Sequence, residues 1–245
     1  MSATPVDVVL VTGAAHRLGA LIAEHFARAG HPVALHCHRS IEAAERLASR
    51  LRAEHDTSAM VVQQDLALHG AAERIVRTVE SAGHRIRFLV NNASTWPAAN
   101  LDDTDEALLD AIHAVNVRAP FQLMRHAHRA GSLQAVVNLL DCRSQRAWPG
   151  RGAYVASRTA LESLTRSAAV EWAGMVRVNG VAVGPTLLPE NASAEIQEAV
   201  LHKMPQGRLV DPEEVAEIVF RLAAGGFESV TGAIWTIDGA RHLVG

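Results

Sequence analysis

Apolar positions along the chain fall into short runs and helical stripes that alternate almost throughout. Residues 6–11 form a β-branched run that stops at Thr12 and Gly13, which reads as a buried strand. The period then lengthens: over 18–29, Leu21, Ile22 and Phe26 share one helical face, and Gly30 ends it. Strand-like runs recur at 33–37, 59–63, 87–91, 134–140, 176–181 and 233–237. Helical patterns fill 41–54, 71–81, 105–130 and 152–173. A last helix starts at Asp211-Pro212-Glu213-Glu214, an N-cap, a first-turn proline and two acids at the positive dipole end, and runs to about Ala224. Residues 185–208, with three prolines, read as irregular. Strands alternating with helices predict βαβ units, and hence an α/β fold. The expected architecture is one Rossmann-type domain over 1–245, a doubly wound parallel sheet of about seven strands with helices on both faces. No repeat or linker divides it.

Composition narrows the function classes. At 245 residues and 49% hydrophobic the chain buries a substantial core and is not disordered. A net charge of −3 supplies no basic excess for a nucleic-acid partner. Cys37 and Cys142 make no disulfide framework, so a reducing, cytoplasmic setting is expected. No apolar run reaches the ~18 residues of a membrane span, and the first residues lack the pattern of a signal peptide. The 13 histidines are scattered without a convergent acid or cysteine set, so no metal site is read. Two counts stand out: Lys203 is the one lysine among 23 basic residues, and Tyr154 is the one tyrosine.

The chemistry begins at Thr12-Gly13-Ala14-Ala15-His16-Arg17-Leu18-Gly19, between the first strand and the first helix. Amides at such a turn and helix start can cradle a pyrophosphate, and glycines let it approach the backbone. An NAD site calls for a carboxylate at the end of the second strand. Here that end reads His36-Cys37-His38-Arg39-Ser40, with no carboxylate before Glu42. Arg39 and Ser40, with Arg17, suit a 2′-phosphate instead, because guanidinium binds phosphate bidentately. The expected cofactor is NADP(H).

In order along the chain, Thr12-Gly13…Gly19, Asn91-Asn92-Ala93, Asn116, Tyr154-Val-Ala-Ser-Arg158, Gly184-Pro185 and Thr231-Gly232…Asp238-Gly239 resemble the motifs of the short-chain dehydrogenases/reductases. Within them, the chain resembles the pteridine reductases and the related dihydromonapterin or dihydrofolate reductases. That likeness rests on Arg17 in the first turn, His-x-His-Arg-Ser, Ser94 with Trp96, Asp141 thirteen residues before Tyr154, and Asp238-Gly-Ala-Arg-His-Leu243.

The resemblance implies a reductase of a dihydropterin or dihydrofolate, acting as a homotetramer through the two long helices, without a nucleic-acid or membrane partner. It assigns cofactor contacts to Gly13, His16, Arg17, Leu18, Gly19, His38, Arg39, Ser40, Asp65, Leu66, Asn92, Ala93, Ser94, Tyr154, Arg158, Pro185, Thr186 and Leu187. It assigns substrate contacts to Arg17, Ser94, Trp96, Asp141 and Tyr154, with the pterin stacked on Trp96, and makes 186–208 a substrate lid. Tyr154 is the implied proton donor, its pKa pulled down from about 10 by nearby positive charge. Asn116 holds a structural water on the proton path. Asp141 stands where most of the family has serine. As a carboxylate it cannot donate to a carbonyl, but it can share a proton with the phenol on its way to a ring nitrogen. The other reading makes Asp141 a strand-end cap, with Ser144 as the serine. Arg158 replaces the family's lysine. Arginine supplies charge and donors but does not release a proton. Either the site works with arginine, Asp141 and water feeding Tyr154, or the protein mainly binds NADP(H). A ketone or 3-oxoacyl reductase is the alternative enzyme. In the lid, Glu190, Asn191, Glu195 and Glu198 carry no specificity signal. Asn191-Ala-Ser193 matches a glycosylation pattern of no consequence in the cytoplasm.

Overall fold

The computed structural model describes residues 4–189 and 192–244. The elements are β1 (Val6–Val11), α1 (Arg17–Arg28), β2 (Val33–Cys37), α2 (Ile41–His55), β3 (Ala59–Gln63), α3 (Ala71–Ser81), β4 (His84–Asn91) and α4 (Glu106–His113). After a π-turn at Ala114–Arg118 come α5 (Ala119–Arg129), β5 (Ala135–Asp141), α6 (Gly152–Glu171), β6 (Arg177–Val183), α7 (Ala194–Leu201), α8 (Pro212–Ala224), β7 (Ile234–Ile237) and a 3₁₀ turn at Arg241–Leu243.

The seven strands form one parallel sheet in the order β3-β2-β1-β4-β5-β6-β7. Strand alternation sorts the core into two layers. Val9, Val11, Leu35 and Val90 face Ile22 and Phe26 of α1, Leu51 of α2 and Val219 and Leu222 of α8. Val8, Leu10, Ala34 and Leu89 face Ile75 and Val79 of α3, Leu123 and Met124 of α5 and Ala168 of α6. Burial on both faces is why these strands read as unbroken apolar runs rather than as alternation. β1 sits between β2 and β4, so the order reverses there, and ligands of such sheets bind beyond the strand ends at that point. Both cysteines are free. Among the described residues, no helix is long and apolar enough to cross a membrane.

Two expectations need correcting. The run over 105–130 is not one helix. Asp105 caps α4 by accepting from the Leu108 amide at 2.8 Å, but the backbone widens to a π-turn at Ala114–Arg118, where the Ala119 amide bonds the Ala114 carbonyl. Pro120 has no N–H to give the Asn116 carbonyl four residues back, so the α-helical ladder cannot continue through it. Residues 185–208 are not wholly irregular either. Ser193 caps α7, accepting from the Ile196 amide at 3.4 Å. α7 buries none of its residues and leaves Ile196 and Leu201 exposed. Glu190 and Asn191 lie outside the described residues, as does the start of the glycosylation pattern.

Candidate active site

The candidate phosphate turn is built by residues that converge at the end of β1. Buried Thr12 places its Oγ1 where the amides of Asn92 and Ala93 donate to it, at 2.9 and 3.0 Å. Asn92 Nδ2 returns bonds to the carbonyls of Thr12 (2.9 Å) and Gly13 (3.2 Å). The end of β4 is thus stitched to the turn after β1. Gly13 and Arg17 both have positive φ, +64° and +54°. His36, buried in β2, accepts the Gly13 N–H on Nδ1 at 3.2 Å and donates from Nε2 to the Gln64 carbonyl at 2.9 Å. Those partners require the neutral Nε2–H tautomer, and burial pushes the ring down to about 4.

This turn fits a pyrophosphate. A Cβ on Gly19 would overlap the Gly13 carbonyl oxygen, so only glycine lets the helix start fold back this closely. His16 is an extended N-cap whose side chain makes no cap bond, and the first turn of α1 holds no acid. Its amide donors and positive dipole end therefore suit an anion. Leu18, half-buried, packs against the core at this start. Exposed Arg39 makes no hydrogen bond or ion pair among the described residues, and half-buried Ser40 follows it. His38 lies 3.6 Å from Asp65, whose Oδ1 accepts from the Ala67 amide at 2.8 Å, and Leu66 is buried beside it. The Arg17 guanidinium donates to the carbonyls of Leu187 and, at 3.3 Å, Leu188, tying the turn to the segment after β6. The Pro185 carbonyl accepts from the Val210 amide at 2.9 Å, and Thr186 is half-buried.

Tyr154, Asp141 and Arg158, the residues expected to handle the proton, meet at the end of β5 and the start of α6. Tyr154 Oη donates to Asp141 Oδ2 at 2.9 Å, and Arg158 Nε donates to Tyr154 Oη at 3.4 Å. The four-residue helical spacing stacks the two side chains, with the guanidinium carbon 5.4 Å from the phenol ring centre. Arg158 is buried, and its Nη1 also donates to the Leu139 carbonyl at 3.3 Å. The expectation of a lowered Tyr154 pKa is reversed here: burial pushes it up to about 12, Arg158 opposes this, and the Asp141 charge adds to it. Ser144 is no stand-in for the family's serine, because its hydroxyl donates to the Asp141 carbonyl at 2.6 Å. Burial and the nearby Asp141 and Asp238 push the Cys142 thiol up to about 12, so it is no thiolate nucleophile.

Asn116, wholly buried in the π-turn, clamps Thr95 by both backbone groups (2.9 and 2.8 Å) and donates to Ser157 Oγ at 3.0 Å. Ser157 in turn donates to the Tyr154 carbonyl at 2.6 Å. The loop carrying Ala93, exposed Ser94 and Trp96 is thereby fixed to the helix carrying Tyr154. Trp96 is 51% exposed, with the Arg151 guanidinium over its ring at 4.6 Å. Thr12, His36 and Ser157 fall within the sequence motifs without a role assigned to them, and Trp148, whose ring meets Tyr154 edge-on at 6.3 Å, falls in none. Of these, His36 carried a signal, a histidine on the buried strand next to β1. Among the described residues, Glu24, Glu54 and His55 approach a metal-ligand arrangement away from this site. Arg50 already bridges its two acids, at 2.9 and 3.0 Å.

Comparison with known proteins agrees with this geometry. A family model described as enoyl-(acyl carrier protein) reductase matches residues 13–242. Pteridine reductase 1 of Leishmania tarentolae is 32% identical across 96% of each chain. Dihydromonapterin reductase of an Enterobacter species is 28% identical over 99% of this chain and 100% of its own. The crystal structure of the FolM alternative dihydrofolate reductase 1 of Brucella canis, complexed with NADP, superposes with a TM-score of 0.90 at 34% identity, over 100% of this chain and 96% of its own. The open-ended parallel sheet, the glycine turn at its switch point and the tyrosine four residues before a buried cation thus place the chain in the short-chain dehydrogenase/reductase family of oxidoreductases.

Proposed function

We propose that the protein is an NADPH-dependent pterin reductase, taking a dihydropterin or dihydrofolate to the tetrahydro level. The observation that carries this reading is the 2.9 Å bond from Tyr154 to Asp141, a carboxylate in place of a hydroxyl donor. When bound, NADPH supplies the hydride. Gly13, Leu18, Gly19 and the first amides of α1 would hold its pyrophosphate, Arg39 and Ser40 its 2′-phosphate, and Arg158 its nicotinamide ribose. Tyr154, held near 12, keeps its proton at neutral pH and points it at Asp141. A ring nitrogen arriving with a lone pair can take that proton from the pair. A ketone oxygen needs a second hydroxyl donor, and Ser144 is already committed to the Asp141 carbonyl. Arg158 cannot release a proton, so its part is to hold the phenol and stabilise negative charge as the proton leaves. Half-buried Asp141 then gives Tyr154 its route back to solvent. The relatives named as pteridine, dihydromonapterin and dihydrofolate reductases support the substrate class.

The test is loss of nicotinamide absorbance with dihydrobiopterin, dihydromonapterin and dihydrofolate against a panel of ketones. Turnover of the pterins is expected, and turnover of ketones alone would overturn the reading. Arg39→Ala should weaken NADPH binding far more than NADH binding; an equal loss would remove Arg39 from the 2′-phosphate. The reading includes a cytoplasmic setting and one domain over 1–245 that assembles as a homotetramer. Exposed Leu109, Phe121 and Val170 on α4, α5 and α6 support the assembly.

A further inference from the structure

Beside the proton-handling pair, aromatic rings and guanidinium groups alternate in a row leading away from it. Trp148 meets the Tyr154 ring edge-on at 6.3 Å. The Arg143 guanidinium lies over the Trp148 ring at 4.4 Å, and Arg151 lies 5.9 Å from the same ring. Arg151 also lies over Trp96 at 4.6 Å and donates to the Trp96 carbonyl. The row is held in place. Arg143's amide bonds Asp141 Oδ1 at 2.8 Å, Arg151's amide bonds the Trp148 carbonyl at 3.0 Å, and the Ala99 amide bonds Gly150 at 3.0 Å, which ties the two loops together.

The Asp141 charge acts on Arg143 without forming an ion pair with its guanidinium. Neither Arg143 nor Arg151 makes an ion pair among the described residues. Arg241 and Arg146 add positive charge close to Arg143. Stacking uses the guanidinium face and hydrogen bonding the rim, so Arg143 keeps its N–H edge for an anion and Arg151 keeps the N–H groups that do not bond the Trp96 carbonyl. An unconjugated pterin ends in a short uncharged side chain, which offers Trp148 no aryl face and the arginines only neutral hydroxyls rather than a carboxylate.

We propose that Arg151, Trp148 and Arg143 form a subsite for an aryl-carboxylate tail, leaving Trp96 to the pterin ring, so that the preferred substrate is a pterin conjugated to such a tail, as in dihydrofolate. The aryl group lies against the Trp148 indole and a carboxylate bridges the guanidiniums. This rests on the pterin reading above, with the pterin ring at Tyr154 and Asp141.

The experiment compares kcat/KM for dihydrofolate and dihydrobiopterin in the wild type, Arg143→Ala, Arg151→Ala and the double variant. The ratio of the two constants should fall roughly tenfold or more in the double variant, the scale of a lost charge-assisted hydrogen bond. Arg143→Lys, which keeps the charge, should lose less. In the wild type, added salt should depress the constant for dihydrofolate and spare that for dihydrobiopterin. Independently of turnover, p-aminobenzoyl-glutamate should quench indole fluorescence in a salt-sensitive way, and its uncharged diamide should not. A ratio within twofold of wild type in the double variant, or equal binding of glutamate and diamide, overturns the subsite. Salt-sensitive capture of p-aminobenzoyl-glutamate without reduction of any pterin would support the subsite and sink the reductase reading.

Discussion

Tyr154 is held between an acceptor and a donor, and which of the two dominates is a question of desolvation. The helical spacing of Tyr154 and Arg158 is legible in the sequence, as is the acid at 141. Their balance is not, because burial of the phenol depends on elements far away in the chain. The outcome, a phenol near 12, is open to direct measurement because no other tyrosine contributes to the signal. Ultraviolet titration of phenolate should show a single midpoint near 12. Asp141→Asn removes a negative neighbour and should lower the midpoint; Arg158→Ala removes the opposing cation and should raise it. A midpoint at the ordinary tyrosine value would mean the phenol is not buried as described. Tyr154→Phe should cut turnover by roughly 10²–10⁴-fold with little change in NADPH affinity, the range for a lost proton donor. Arg158→Lys should retain or raise activity, and Arg158→Ala should lose most of it. Full activity in Arg158→Ala would remove this residue from the mechanism.

At the scale of elements, the site depends on irregularities that periodicity does not report. The apolar stripe over 105–130 continues through Pro120, so the pattern reads as one helix, while the missing N–H opens the π-turn that carries Asn116 inward. Replacing Asn116 by alanine would strand both backbone groups of Thr95. It should cost about 1–3 kcal/mol, read from urea unfolding, and loosen the loop of Trp96. β2 is equally instructive. Its strand character is plain from the sequence, but His36 acts through Gly13 and Gln64, which belong to neighbouring elements. Folding lowers the His36 pKa from 6.5 to about 4, so the unfolded chain binds the proton first as pH falls. Stability from this group is complete above pH 6.5 and declines by about 1.4 kcal/mol per unit toward pH 4. Denaturation at pH 7 and pH 5 should show a smaller difference in His36→Gln than in the wild type. Equal differences would show that His36 titrates normally.

For the whole molecule, the sheet order decides what meets what. Because β1 lies next to β4, Thr12 reaches Asn92 and Ala93 across 80 residues of chain, and the turn is closed by a hydroxyl whose partners its own motif does not reveal. Phe121 and Val170, exposed at 42% and 77%, should be covered in the assembled protein. Light scattering on the wild type should give a tetramer, and Phe121→Glu with Val170→Glu should give smaller species; an unchanged mass in the double variant would move the interface elsewhere. The sequence by itself determined the α/β class, the seven strands, the glycine turn after the first strand and the tyrosine with its acid and its arginine. These follow from burial period and residue chemistry at short range, which the chain carries wherever it folds. Only the tertiary structure decided that the phenol is raised rather than lowered, that Ser144 is spent on a carbonyl, that His36 braces the turn, and that four separate side chains make a row of rings and cations. Desolvation, hydrogen-bond competition and stacking all depend on distances between segments remote in sequence, and those distances exist only once the sheet has closed its order.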